Sequence, residues 1–113
     1  MWEEVARRYG GVPDAVLRHR ELRGLCTPAL RADFAILAGY EHHPGEPLSC
    51  PVTGLFGEDE TLVNREEMAR WAELSTAPLA VRSYPGGHFY LTTARDRVLA
   101  DIGTELQTRS PIV

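Results

Sequence analysis

The sequence predicts an α/β protein in which a helical segment precedes a βαβα unit with parallel strands. Residues 1 to about 43 carry their apolar side chains at helical spacing only, whereas residues 50–113 alternate short apolar runs with helical patterns. The segment between the two predicted strands is long enough to contain a helix. Such a connection is a crossover rather than a hairpin, so we expect parallel strands and a right-handed turn.

Three helices are predicted in the first half. The first begins at Trp2 and stops at Gly10-Gly11. A second begins at Pro13, since proline suits the first turn of a helix. A third begins at Thr27-Pro28 with Thr27 as its N-cap, and it ends at Pro44-Gly45.

The second half contains the predicted strands and their helices. The first strand is the run Cys50–Phe56, and the second is Leu79–Tyr84. Between them a helix begins with Asn64 as N-cap and Glu67 completing a capping box. Its face toward the sheet is Met68, Trp71, Ala72 and Ser75; a last helix opened by Thr93 presents Val98, Leu99, Ile102 and Leu106.

Composition disfavours several classes of protein. The chain has 113 residues, 25% of them charged, and a formal net charge of −4, which disfavours a nucleic-acid binder. Its longest apolar run, Phe34–Tyr40, is far shorter than the roughly 18 residues of a membrane span. Two cysteines, Cys26 and Cys50, are too few for a disulfide framework. We therefore expect a cytoplasmic protein that binds neither nucleic acid nor membrane.

A carboxylate and an imidazole follow the two strands. The acidic run Glu58-Asp59-Glu60 comes after the first strand, and His88 comes after the second. Because parallel strands end at the same edge of a sheet, both loops reach one place, where a carboxylate could orient a general base. The alternative is that the acids are solvated or offset a helix dipole, and that the Gly-Gly-His loop is only a turn.

A set of motifs in a fixed order covers nearly the whole chain: Tyr9-Gly10-Gly11-Val12-Pro13, Leu30-Arg31-Ala32-Asp33-Phe34, Tyr40, Leu48-Ser49-Cys50-Pro51-Val52, Gly57 to Val63, Trp71 and Pro85-Gly86-Gly87-His88-Phe89-Tyr90-Leu91. With these motifs the chain resembles the C-terminal part of a type II thioesterase. That family has the α/β-hydrolase fold and works beside polyketide and nonribosomal peptide synthases. The resemblance implies a single partial domain, residues 1–113, with a helical lid region at 1–47 and a βαβα unit at 48–113.

The resemblance also implies catalytic residues. His88 corresponds to the catalytic histidine, and the family pattern G-x-x-D-x-x-V, counted from Gly57, places Glu60 at the acid position. Glu60 replaces the usual aspartate, so a shifted loop could use Asp59 instead. The implied partner is an acyl or peptidyl carrier protein with its phosphopantetheine arm.

The nucleophile of that family is missing from these residues. None of the serines stands in a G-x-S-x-G elbow. We therefore expect a thioesterase-type half that is inactive alone and that self-associates or needs an N-terminal partner; the alternative is a non-catalytic module that binds a carrier protein or acyl arm. A metal site at His19, His42, His43 and His88 is disfavoured, since adjacent residues of a helix do not share a face, and we expect no cofactor.

Overall fold

The computed structural model describes residues 1–109, so residues 110–113 of the predicted second region lie outside the described part. The chain divides into two compact units between Glu46 and Pro47. The first unit is helical, and the second contains the sheet. No helix within residues 1–109 is both long enough and apolar enough to cross a lipid bilayer.

The first unit consists of α1 (Trp2–Tyr9), α2 (Asp14–Arg18) and α3 (Arg20–Ala38). Helix α1 lies against α3: the Trp2 indole donates to the Thr27 hydroxyl at 3.0 Å, and the rings of Tyr9 and Phe34 lie 5.7 Å apart. No residue of these three helices, all of which are described, is fully buried. This unit therefore has contacts between helices but no closed core of its own.

The prediction that a third helix begins at Thr27 is wrong, because α3 runs through Thr27 and Pro28 without a break. The Thr27 hydroxyl donates back to the Arg23 carbonyl at 2.6 Å, which is a bond made inside a helix, not at its start. Proline removes one hydrogen bond from a helix but does not always end it. The break falls instead at His19, whose extended backbone (φ −109°, ψ 112°) separates α2 from α3.

The second unit is built on two parallel strands, as predicted. Strand β1 (Val52–Gly57) pairs with β2 (Leu79–Tyr84) in a register that runs from Val52 opposite Leu79 to Gly57 opposite Tyr84. An isolated parallel bridge joins Leu48 to Ser75 ahead of the strands. The two strands therefore end side by side, at Gly57 and Tyr84.

The crossover between the strands contains α4 (Arg65–Ala69) and a 3₁₀ helix (Arg70–Leu74). Asn64 is the N-cap as predicted, and its side chain accepts from the Glu67 N–H at 2.8 Å. Met68 lies on β1, where a Cβ added at Gly54 would meet its methyl group. Trp71 is 50% exposed, contrary to the prediction that it faces the sheet. It lies in the 3₁₀ helix, since α4 ends at Ala69.

The chain ends in α5 (Tyr90–Thr93) and α6 (Arg95–Arg109), so the last long helix begins two residues later than the Thr93 start predicts. Among the described residues, the buried hydrophobic side chains are Tyr84 at 0% exposure and Val98 at 2%. Of the predicted face of α6 only Val98 is buried, since Leu99, Ile102 and Leu106 are 56%, 39% and 61% exposed. Two α6 carboxylates bind the strands instead: Asp101 accepts from the Tyr84 hydroxyl and Glu105 from the Thr53 hydroxyl.

Candidate active site

Two loops meet at the carboxyl ends of the strands. Backbone hydrogen bonds join them: the Glu58 N–H donates to the Tyr84 carbonyl at 2.8 Å, and the Asp59 N–H donates to the Gly86 carbonyl at 2.9 Å. These bonds continue the pairing of the parallel strands beyond their ends. The loop that follows β1 is therefore held along the loop that follows β2.

Glycine at position 57 permits this close approach. A Cβ at Gly57 would lie 2.1 Å from the Gly87 carbonyl oxygen and 2.6 Å from that of Gly86. Both distances are far below van der Waals contact, and the atoms met are backbone atoms that cannot rotate away. Gly86 has φ +117°, a conformation that glycine adopts at little cost. The two loops can therefore lie this close only with glycine at positions 57 and 86.

His88 and Glu60 meet between the loops. The His88 Nδ1 lies 2.7 Å from the Glu60 Oε2. The Glu60 side chain is 6% exposed and that of His88 is 39% exposed, so the carboxylate is buried beneath a ring that reaches the surface. Asp59 is exposed, and Glu60 is the acid that the structure places on the imidazole. The predicted convergence is confirmed, whereas the catalytic roles of His88, Glu60 and Asp59 stay predictions.

The Glu60 carboxylate is fixed from two directions. Its Oε1 accepts from the Leu62 N–H at 3.0 Å, while its Oε2 lies on His88. Burial alone would raise the pKa of Glu60, but the hydrogen bonds from Leu62 and His88 outweigh it, so the pKa of Glu60 lies below its ordinary value. Glu60 is therefore ionised at neutral pH.

An ionised carboxylate fixes the tautomer of the ring. Because a carboxylate only accepts hydrogen bonds, the Nδ1 of His88 carries the proton and donates it to Glu60. The lone pair of the neutral ring is then on Nε2, which is the atom that a general base uses. The Phe89 ring meets the His88 ring edge-on, with centroids 5.1 Å apart.

Two residues beside the site, Tyr84 and Asp101, were not predicted from the sequence to lie there. The Tyr84 ring stacks on the Tyr90 ring at 5.7 Å between centroids, and the Tyr84 hydroxyl donates to Asp101 Oδ2 at 2.8 Å. Burial and the Asp101 carboxylate raise the pKa of Tyr84 to about 12. One sequence signal points to Asp101: it lies three residues after Val98, on the same side of α6.

Within residues 1–109, no group of three or more His, Cys, Asp or Glu side chains is arranged to hold a metal ion. The carboxylate neighbour of His88 is Glu60.

Comparison with known proteins agrees with the resemblance. The family model described as "Thioesterase domain" matches residues 3–106. The thioesterase PikA5 of Streptomyces venezuelae is 36% identical over 100 residues, which are 88% of this chain and 36% of that protein. The gramicidin S biosynthesis protein GrsT of Aneurinibacillus migulanus is 34% identical over 85 residues, 75% of this chain and 33% of that protein.

A solved thioesterase structure shows the same fold. RedJ, the thioesterase of the prodiginine pathway in Streptomyces coelicolor, superimposes with a TM-score of 0.81 at 36% identity, covering 92% of this chain and 42% of RedJ. The chain thus spans less than half the length of the relatives that it matches. It belongs to the thioesterase family, is similar to its type II members, and carries part of their α/β-hydrolase fold.

Proposed function

We propose that this chain supplies the acid and base of a serine-type thioesterase that hydrolyses acyl thioesters held on carrier proteins in polyketide or nonribosomal peptide biosynthesis. The observation that carries the proposal is the 2.7 Å contact between His88 Nδ1 and Glu60. The family supports the reaction class, and the names of relatives such as the gramicidin S biosynthesis protein support the biosynthetic setting.

The geometry suits a two-step acyl transfer. His88 Nε2 removes the proton from a serine hydroxyl while the serine oxygen bonds to the thioester carbonyl carbon. The carbon–sulfur bond then breaks, and the leaving thiolate takes that proton from the imidazolium. In the second step Nε2 removes a proton from water, the water oxygen bonds to the acyl carbon, and the serine oxygen leaves with the proton. Glu60 stabilises the imidazolium in both steps.

The nucleophile has to come from another segment. The 113 residues contain no G-x-S-x-G elbow, and the oxyanion hole of this fold depends partly on the residue after the nucleophile. We infer that the chain has no thioesterase turnover by itself and acts with a polypeptide that carries the elbow. In this proposal residues 1–47 are the lid region and 48–113 the acid–histidine region of one partial domain.

The lack of a G-x-S-x-G elbow in the 113 residues also favours a second function. Without a nucleophile, the chain could serve as a non-catalytic module that binds a carrier protein or its acyl-pantetheine arm. The two functions differ in what His88 does: a base is essential to the first, whereas binding alone does not need proton transfer.

A reconstitution experiment distinguishes the catalytic function from the binding function. The chain is purified alone and together with a polypeptide carrying the G-x-S-x-G part of a type II thioesterase, and hydrolysis of an acyl-pantetheine thioester is measured. We expect no turnover alone, turnover together, and a loss of about 10³-fold or more in the reconstituted His88→Ala variant. His42→Ala, an exposed histidine of the first unit, is the matched control. Full activity of His88→Ala would contradict the proposal, and so would turnover by the chain alone.

A further inference from the structure

Two tyrosines close the base of the loop that carries His88. Tyr84 ends β2, Tyr90 begins α5, and residues 85–89 form the loop between them. The two rings are stacked with their centroids 5.7 Å apart and their planes 5° from parallel. The two ends of the loop are therefore held together by one aromatic contact.

Tyr84 is fixed to α6. It is 0% exposed, and its hydroxyl donates to Asp101 Oδ2 at 2.8 Å. The Arg82 guanidinium lies 3.8 Å from the same carboxylate oxygen, and that of Arg97 lies over the Tyr84 ring at 5.6 Å. The longer helix thus holds the tyrosine in one position through a charged hydrogen bond.

The same two tyrosines lie next to the acid loop. The Tyr84 carbonyl accepts from the Glu58 N–H at 2.8 Å, two residues before Glu60. Burial raises the pKa of Tyr90, and the negative charge of Glu60 raises it further. The acid loop is thus bound to Tyr84 by a backbone hydrogen bond, and Tyr90 follows His88 by two residues.

We propose that Tyr84 and Tyr90 form a clamp that positions His88 on Glu60, with Asp101 anchoring the clamp to α6. The three are positioning residues, and none of them touches the reacting atoms. The inference rests on the proposed function, because only a catalytic His88 needs to be held in this way.

The loop itself explains why a clamp is needed. Residues 85–89 contain Gly86 and Gly87, and glycine loses more conformational freedom on folding than any other residue. The His88 side chain is 39% exposed, so packing of the ring itself restrains it only in part. Holding both ends of the loop together restricts the backbone that carries the imidazole, which favours the geometry that the hydrogen bond to Glu60 requires.

The test observes the His88–Glu60 hydrogen bond directly, without turnover. In the ¹⁵N-labelled chain, we expect the Nδ1 proton of His88 to give a downfield NMR signal, because the bond to Glu60 protects it from exchange with water. The signal is assigned by its absence in His88→Gln. Tyr90→Leu removes the ring stack, whereas Tyr90→Phe keeps the ring. We expect Leu to abolish the signal and Phe to retain it. Tyr40→Leu, an exposed tyrosine of the first unit, is the matched control.

The anchor is tested separately with Asp101→Ala, against Asp96→Ala on the exposed side of the same helix. Alanine removes the acceptor of the Tyr84 hydroxyl, so we expect exchange of the Nδ1 proton to become about tenfold faster in the first variant only, the order of magnitude that one hydrogen bond contributes. If Tyr90→Leu unfolds by circular dichroism, the Asp101 pair decides the question. Retention of the signal in a folded Tyr90→Leu chain, its loss in Tyr90→Phe, or equal exchange in the two alanine variants would overturn the clamp. Failure of reconstituted hydrolysis with the NMR signal intact would count against the proposed function instead.

Discussion

The Glu60 Oε2 lies 2.7 Å from the His88 Nδ1 although the two residues are 28 positions apart in the sequence. Two parallel strands, which end at Gly57 and Tyr84, bring them together. Neither residue could reach the other if the strands were antiparallel or shifted by several residues, because their loops would leave from different places. The contact is therefore a consequence of topology and register as well as of the two side chains.

Gly57→Ala is expected to lower the free energy of unfolding by about 1–3 kcal/mol. The new Cβ would lie 2.1 Å from the Gly87 carbonyl oxygen, so the loops must separate. Urea unfolding followed by circular dichroism measures the effect. Gly103→Ala, in α6 with open space around its Cβ, is the control and is expected to stabilise by about 0.5–1 kcal/mol. Equal effects of the two substitutions would contradict the close approach.

Glu60→Gln is expected to reduce the pH dependence of stability on the acidic side. The folded-state pKa of Glu60 lies below its ordinary value of 4.5, so its contribution is fully present above that value and is lost as the pH falls through the folded pKa. The contribution at neutral pH is about 1 kcal/mol, reduced by the partial exposure of His88. Unfolding is measured from neutral pH to below 4.5.

Asp59→Asn is the matched control for that measurement. Asp59 is exposed and adjacent to Glu60, so its substitution is expected to change the free energy of unfolding by less than about 0.5 kcal/mol. A profile that changed with Asp59→Asn and not with Glu60→Gln would assign the imidazole to the other carboxylate.

Tyr84 is expected to ionise well above the ordinary pKa of a tyrosine. Burial and Asp101 raise its pKa to about 12, so its contribution to stability is complete below the ordinary value of 10.0 and is lost as the pH rises through about 12. Absorbance of tyrosinate followed against pH should show this late step, and Tyr84→Phe should remove it. A late step that persists in Tyr84→Phe would contradict the assignment.

Val98→Ala is expected to cost about 1–3 kcal/mol of unfolding free energy, because Val98 is only 2% exposed. Leu99→Ala, at a neighbouring position that is 56% exposed, is expected to stay within about 0.5 kcal/mol. Chemical denaturation measures the free energy of unfolding of both variants. A loss for Leu99→Ala as large as that for Val98→Ala would mean that α6 buries the whole apolar face that the sequence predicts.

The parts that the sequence predicts well are those that depend on local chemistry or chain length. Asn64 caps α4 because its side chain accepts from the Glu67 N–H three residues on. The first turn of any helix has such unpaired N–H groups, so this bond depends only on the local sequence. The parallel pairing follows from a connection too long for a hairpin. The meeting of His88 with an acid then follows from the edge that the strands share.

The parts that it predicts poorly depend on contacts between distant residues. Thr27 resembles an N-cap, yet its hydroxyl binds Trp2 and the Arg23 carbonyl inside α3. Hydrogen bonds from Tyr84 and Thr53 to two carboxylates of α6 help to decide which side of the helix lies on the sheet. The spacing of hydrophobic residues contains no information about such bonds. The choice between Glu60 and Asp59 likewise depends on the direction of the loop after Gly57.

The most direct test of the central claim is the rate constant kcat/KM for acyl-thioester hydrolysis by the reconstituted two-chain enzyme, compared between Glu60→Gln and Asp59→Asn. We expect Glu60→Gln to lower kcat/KM by about 10²–10⁴, because the His88 tautomer and the imidazolium lose their carboxylate. We expect Asp59→Asn to change the rate constant by less than about twofold, since Asp59 is exposed. Full activity in Glu60→Gln, or a loss confined to Asp59→Asn, would contradict the central claim.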